Sequence, residues 1–173
     1  MRRSPTPLEA EALYQKAVKL LARRGRSESE LRRLLTRSAA PGALPPALDR
    51  LREHGYLDDR RFAQSLALYA RDAEKFGAQR ARRELRRRGI ADAVADQALA
   101  EIYPARGEAA LLRAWLAKKR VKPPEDERAA ARLYRRLRLA GFASPEIVTA
   151  LRRWKIDPEW LEALEEEEAA DEF

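Results

Sequence analysis

Apolar positions recur along this chain at a long, nearly constant period. Leu48, Leu99 and Leu151 stand 51 and then 52 residues apart, and each lies in the same apolar frame. The frames are Leu44, Ala47, Leu48 and Leu51; Ala95, Ala98, Leu99 and Ile102; and Ile147, Ala150, Leu151 and Trp154. Each has the i, i+3, i+4, i+7 spacing of one helix face. Self-similarity at this scale predicts a tandem array. Fourteen residues before each key leucine comes another, Leu34, Leu85 and Leu137, with Ser38-Ala39, Gly89-Ile90 and Gly141-Phe142 in between. That reads as helix, stop, helix, because a glycine just past a helix can close it in the left-handed conformation while the next apolar residue folds back.

A third periodic stretch precedes each pair: Tyr14, Val18 and Leu21; Phe62, Leu66 and Tyr69; Leu111, Leu112 and Trp115. Helix starts are marked by a Ser27 to Glu30 capping box and by Ser144-Pro145-Glu146 and Asp157-Pro158-Glu159. The predicted fold is all-α, with three tandem three-helix repeats at residues 10–57, 58–105 and 106–157. A short helix and tail follow at 158–173. Units of about 50 residues are marginal alone, so they are expected to pack into an elongated, curved body. Such a shape suits a groove or a filament better than a small molecule.

Composition narrows the function classes. The 173 residues include no cysteine, which excludes disulfides and thiolate metal sites and fits a reducing compartment. Arg2 and Arg3 are followed by prolines and glutamates, not by the apolar core of a signal peptide, and no apolar run approaches membrane-spanning length. A cytoplasmic protein without a membrane role is expected. The net charge of +8 is unevenly placed: from Glu162 onward there are seven acidic residues and no basic one, leaving 36 basic against 21 acidic residues in the body. A body of +15 points to a polyanion as partner, since neutralising phosphates releases counterions.

Candidate catalytic groups are few. His54, the one histidine, precedes Gly55 at a helix end and is expected to interact with terminal carbonyls and the helix dipole. Asp58-Asp59, before Arg60-Arg61-Phe62, reads as a helix cap. The seven glycines form no phosphate-binding loop. The expectation is a protein that is not an enzyme, with no cofactor and no metal.

The arginines concentrate on the second helix of each repeat. Over Gly77 to Arg88, Ala78, Ala81 and Leu85 form a narrow apolar face, leaving Arg80, Arg83 and Arg87 on another with Arg82 and Arg86 flanking. The leucine register places Arg83 with Arg32 and Arg135, Arg88 with Arg37, and Arg86 with Arg138. With Arg33 and Arg136 these twelve form a candidate basic stripe for DNA or a protein partner. Guanidinium groups suit phosphates and carboxylates equally, and a solvated face would show the same pattern.

At these residues the chain resembles the RecX family of bacterial recombination regulators, over about Tyr14 to Ile156. The motifs are Arg26-Ser27-Glu28-Ser29-Glu30-Leu31, then Leu51 to Ala63 (LREHGYLDDRRFA), then Gly77 through Glu84-Leu85 to Gly89-Ile90. The third repeat matches by pattern only and lacks the Asp-Asp-x-x-Phe-Ala motif. The resemblance implies a regulator of recombination and DNA repair that binds the RecA recombinase filament on single-stranded DNA. It would act as a monomer lying along the filament groove, impeding ATP hydrolysis, strand exchange and filament growth. The competing reading is a DNA-binding module of helix-turn-helix type, but the chain has no asparagine and only four glutamines for base readout. The acidic tail is expected either to solubilise or to screen the basic surface from nonspecific DNA.

Overall fold

The computed structural model describes residues 7–104, 107–154, 156, 159 and 160. Among them run nine α-helices: α1 (Ala10–Arg23), α2 (Glu28–Thr36), α3 (Leu44–Glu53), α4 (Asp59–Asp72), α5 (Ala78–Arg87), α6 (Asp92–Ile102), α7 (Glu108–Lys118), α8 (Glu127–Leu139) and α9 (Ser144–Arg152). The all-α expectation holds. The expected short helix from Pro158 and the acidic tail lie outside the described residues, apart from Glu159 and Trp160.

The chain divides into two compact units whose limits pass through α4, α5 and α6. The first joins the described residues up to Ser65 with Glu84–Ala98. Its core is Leu13, Tyr14 and Ala17 of α1, Leu31 and Leu35 of α2, Ala47, Leu48 and Leu51 of α3, and Leu57 beyond. Each fully buried leucine contributes about 1.5–3 kcal/mol through burial. The second unit joins Leu66–Arg83 with the chain from Leu99. Its core is built around Leu112, Trp115, Leu137, Phe142, Ile147 and Leu151, with Phe76, Trp154 and Trp160 packed against it.

The third-helix register is confirmed: Leu48, Leu99 and Leu151 are all buried. So are the glycine stops of α5 and α8. Gly89 and Gly141 take left-handed φ values of 74° and 95°. Ile90 N–H then donates to the Leu85 carbonyl at 3.1 Å and Phe142 N–H to Leu137 at 3.2 Å, burying both apolar side chains.

Three details differ from the sequence reading. On α2 the buried pair is Leu31 and Leu35, while Leu34 is 40% exposed. Its α2–α3 connection, 37–43, is built differently from the glycine stops, with Leu8 and Ala39 forming a β-bridge beside it. Leu35 is therefore the counterpart of Leu85 and Leu137, and the leucine register slips by one residue on α2. On α4 the buried residues are Ala63, Ala67 and Ala70, whereas Phe62 and Leu66 are half-buried and Tyr69 is 62% exposed. Two apolar stripes run side by side on that helix, and the one with the smaller side chains faces inward. The α9 cap position is Ala143, without a side-chain cap bond, and not Ser144.

Candidate functional site

The second helices carry their arginines opposite a narrow apolar face, as α5 shows with Ala81 and Leu85 buried and its arginines largely outward. What each guanidinium meets differs greatly. In the first unit, Arg32 pairs with Glu28 at 2.9 Å, Arg86 with Asp92 at 2.7 Å, and Arg87 with both Glu84 oxygens at 3.1 and 2.6 Å. The Arg87 hydrogen bond, ahead of that from Arg88, holds the Glu84 carboxyl below its ordinary value. Arg33 and Arg37 are exposed and meet no carboxylate among the described residues.

In the second unit, the Arg80 guanidinium lies 3.7 Å from the centre of the Phe76 ring and that of Arg136 lies 5.0 Å from Trp115. Arg83 donates to the last carbonyls of α8, Leu139 at 3.0 Å and Arg138 at 3.5 Å, and burial lowers its pKa, with Arg80 and Arg138 adding repulsion. Arg138 donates to the Phe142 carbonyl at 3.1 Å and to Gln79 at 3.4 Å. Arg135 is exposed with no carboxylate partner among the described residues, and Arg82 is half-buried and engaged. The corrected α2 register puts Arg33, Arg83 and Arg135 at one shared position, with Arg37 the counterpart of Arg87.

Arg88 is not a surface residue. Its side chain, 22% exposed, pairs with Glu30 at 3.0 Å and Glu84 at 3.3 Å. Ser27 closes the α2 capping box with Glu30, and its hydroxyl also donates to the Arg88 carbonyl. The Glu28 N–H donates to Asp59 at 2.8 Å, and the ring of Phe62 lies against Gly25. A side chain at Gly89 would strike Ser29. The three motifs that carry the family resemblance thus meet in one place, where the start of α2 abuts the end of α5 and the start of α4. The negative end of α5 faces the positive start of α2 there, a favourable arrangement, and the Asp59 carboxylate stands between the two like starts of α2 and α4. Their nearest consequence is structural: they build a junction.

A corresponding junction lies in the second unit, where α5 starts against the end of α8. Gly77 N–H donates to the Ala140 carbonyl at 2.9 Å and Gln79 N–H to Gly141 at 3.2 Å. The sequence missed both junctions; the one signal was the pairing of glycines with capping residues across repeats.

Asp58 caps α4 through the Arg61 N–H at 2.9 Å, as expected, while Asp59 caps α2 instead. Burial raises the Asp59 pKa, with repulsion from Glu28 and Asp58 added. The His54 ring meets the Tyr14 hydroxyl at 2.8 Å through Nδ1, a side-chain partner in place of the expected carbonyls. Among the described residues no group of three or more His, Cys, Asp or Glu is placed to hold a metal ion, and no helix is long and apolar enough to cross a membrane.

Residues 58–99 match the second three-helix domain of RecX. Regulatory protein RecX of Pseudomonas putida is 39% identical over 132 residues, covering 76% of this chain and 83% of that protein. The RecX of Halorhodospira halophila is 36% identical over 152 residues, covering 82% and 87%. Among solved structures, RecX from Lactobacillus salivarius superposes with a TM-score of 0.71 at 17% identity, over 84% of this chain and 96% of that one. A second RecX crystal structure gives 0.67 at 22% identity, over 83% and 73%. The structural likeness speaks for the fold, the sequence identity for descent, and on both the chain belongs to the RecX family of regulatory proteins.

Proposed function

We propose that this chain restrains the RecA recombinase by binding its filament on single-stranded DNA, as a monomer in the cytoplasm, through contact and without chemistry. The observation that carries the reading is the set of exposed second-helix arginines that meet no carboxylate among the described residues, Arg33, Arg37 and Arg135. They are joined by Arg80 and Arg136, which rest on aromatic faces and keep their charge available. Arg86, Arg87 and Arg88 are engaged in ion pairs and contribute to binding mainly through the helix they hold. A division into repeats at 10–57, 58–105 and 106–157 would give three such helices to successive sites on a polymer, raising avidity without requiring a strong single contact. A ligand that favours one state of the filament shifts assembly by mass action alone.

Filament growth tests this. RecA assembling on single-stranded DNA is followed by electron microscopy with equimolar protein present; shortened filaments support the proposal. Filaments of unchanged length would refute it, and protein bound equally to DNA lacking RecA would favour the helix-turn-helix alternative.

A further inference from the structure

The second unit holds a cleft of about 300 Å³ between α7 and α9 that the proposed function does not use. Its floor is apolar, with Leu116, Val121 and Trp154, and three arginines stand on its rim, Arg113, Arg120 and Arg153. All three are exposed and have no carboxylate partner among the described residues. Arg120 carries a second mark. It ends α7 at a φ of 50°, in the left-handed region where glycine closes α5 and α8. A β-carbon there costs about 1 kcal/mol, so the position places a charged side chain on the rim where glycine would be conformationally cheaper.

We infer that this cleft is the docking site for the chain's own acidic tail, residues 161–173. Charge complementarity is direct: the tail has seven acidic residues and no basic one, against three guanidiniums with no carboxylate partner among the described residues, beside one rim carboxylate, Glu146. The tail also carries apolar residues for the floor, Leu161 and Leu164 at helical spacing and Phe173 at the end. Its attachment is in the same unit, since Trp160 packs on the core that includes Trp115 and Leu151. Thirteen residues extended reach about 45 Å, ample to return across a three-helix unit of this size. Docking would cover cations distinct from the second-helix stripe and would weaken as salt screens the pairs. The inference does not depend on the RecA reading.

The absence of cysteine makes the test clean. A nitroxide label on an Ala169→Cys variant of the full chain is expected to broaden the Trp154 indole resonance and the Ala117 and Ala150 amides at low salt. The broadening should disappear at 1 M salt and in the background R113Q/R120Q/R153Q. These three positions are exposed, and circular dichroism checks that the variant folds. Adding the unlabelled peptide 161–173 to a chain ending at Trp160 should shift the same resonances. No broadening at low salt overturns the inference, as does broadening that survives the glutamine substitutions. Broadening centred on Arg33 or Arg83 would place the tail on the stripe instead. Broadening that vanishes on dilution with unlabelled chain would assign it to a second copy, and either result rejects the intramolecular site.

Discussion

Gly77 and Gly141 meet backbone to backbone: a β-carbon on Gly77 would overlap the Gly141 carbonyl, and one on Gly141 would overlap the Arg80 N–H group. Neither obstacle is the end of a flexible side chain, so relief requires separating α5 from α8. Gly77→Ala is expected to cost about 3 kcal/mol or more, and Gly141→Ala at least as much because its φ of 95° adds strain. All three tryptophans, Trp115, Trp154 and Trp160, lie in the second unit. Urea unfolding followed by tryptophan fluorescence should therefore show both losses directly. A midpoint equal to that of the parent protein would contradict the junction.

Arg88 gives the complementary prediction for the first unit. Removing it leaves Glu30, whose side chain is 10% exposed, with the Ser27 N–H and a distant Arg24 at 3.7 Å. Arg88→Ala should cost about 2–3 kcal/mol, the lower side of what breaking a buried pair costs, since this one is partly solvated. The loss should appear in circular dichroism as early melting, and less in tryptophan fluorescence, which reports the other unit. A stability unchanged by Arg88→Ala, combined with weakened partner binding, would return Arg88 to the interface.

Two carboxylates on neighbouring elements respond to pH in opposite directions. Hydrogen bonds from Arg52, then Arg32, hold Glu28 below its ordinary value of 4.5. Its contribution is present above that value and lost as pH falls through the lower folded one, so Glu28→Gln should cost up to about 1 kcal/mol at pH 7 and progressively less as pH falls below the ordinary value. Burial raises Asp59, so its charge costs the folded state stability above the folded pKa, and that cost disappears on acidification. Asp59→Asn, which keeps an acceptor for the Glu28 N–H, should be no less stable than the parent at pH 7. Asp59→Ala should lose the cap, about 1 kcal/mol. Urea titrations at pH 7 and pH 4 separate these cases. A marked loss for Asp59→Asn at neutral pH would show that the charge itself holds α2.

Much of this fold was legible because helix period and glycine stops are local signals. Leu99, Leu151, Gly89 and Gly141 were readable from spacing alone. The slip at Leu34 was not, because α2 has apolar residues at both 34 and 35 and the choice depends on what α3 and α1 present to it. Tyr69 failed for a related reason: an alanine stripe beside an aromatic one lets tertiary packing decide which faces in. The arginines were legible as a group but not in their partners. Glu84 with Arg87 and Arg88, and Glu28 with Arg32, follow from three- and four-residue spacing. The capture of Arg88 by Glu30, 58 residues away, depends on the junction and leaves no local trace.

RecA-dependent ATP hydrolysis on single-stranded DNA tests the central claim most directly, comparing the parent chain with Arg33→Ala/Arg37→Ala/Arg135→Ala. Those three side chains are exposed and pair with no carboxylate among the described residues, so the triple variant should keep its fold. The account predicts that equimolar parent protein suppresses hydrolysis, that the triple variant suppresses it at least tenfold more weakly, a loss of about 1.4 kcal/mol, and that added salt narrows the gap. Hydrolysis untouched by the parent protein would contradict the account, as would full suppression by the triple variant.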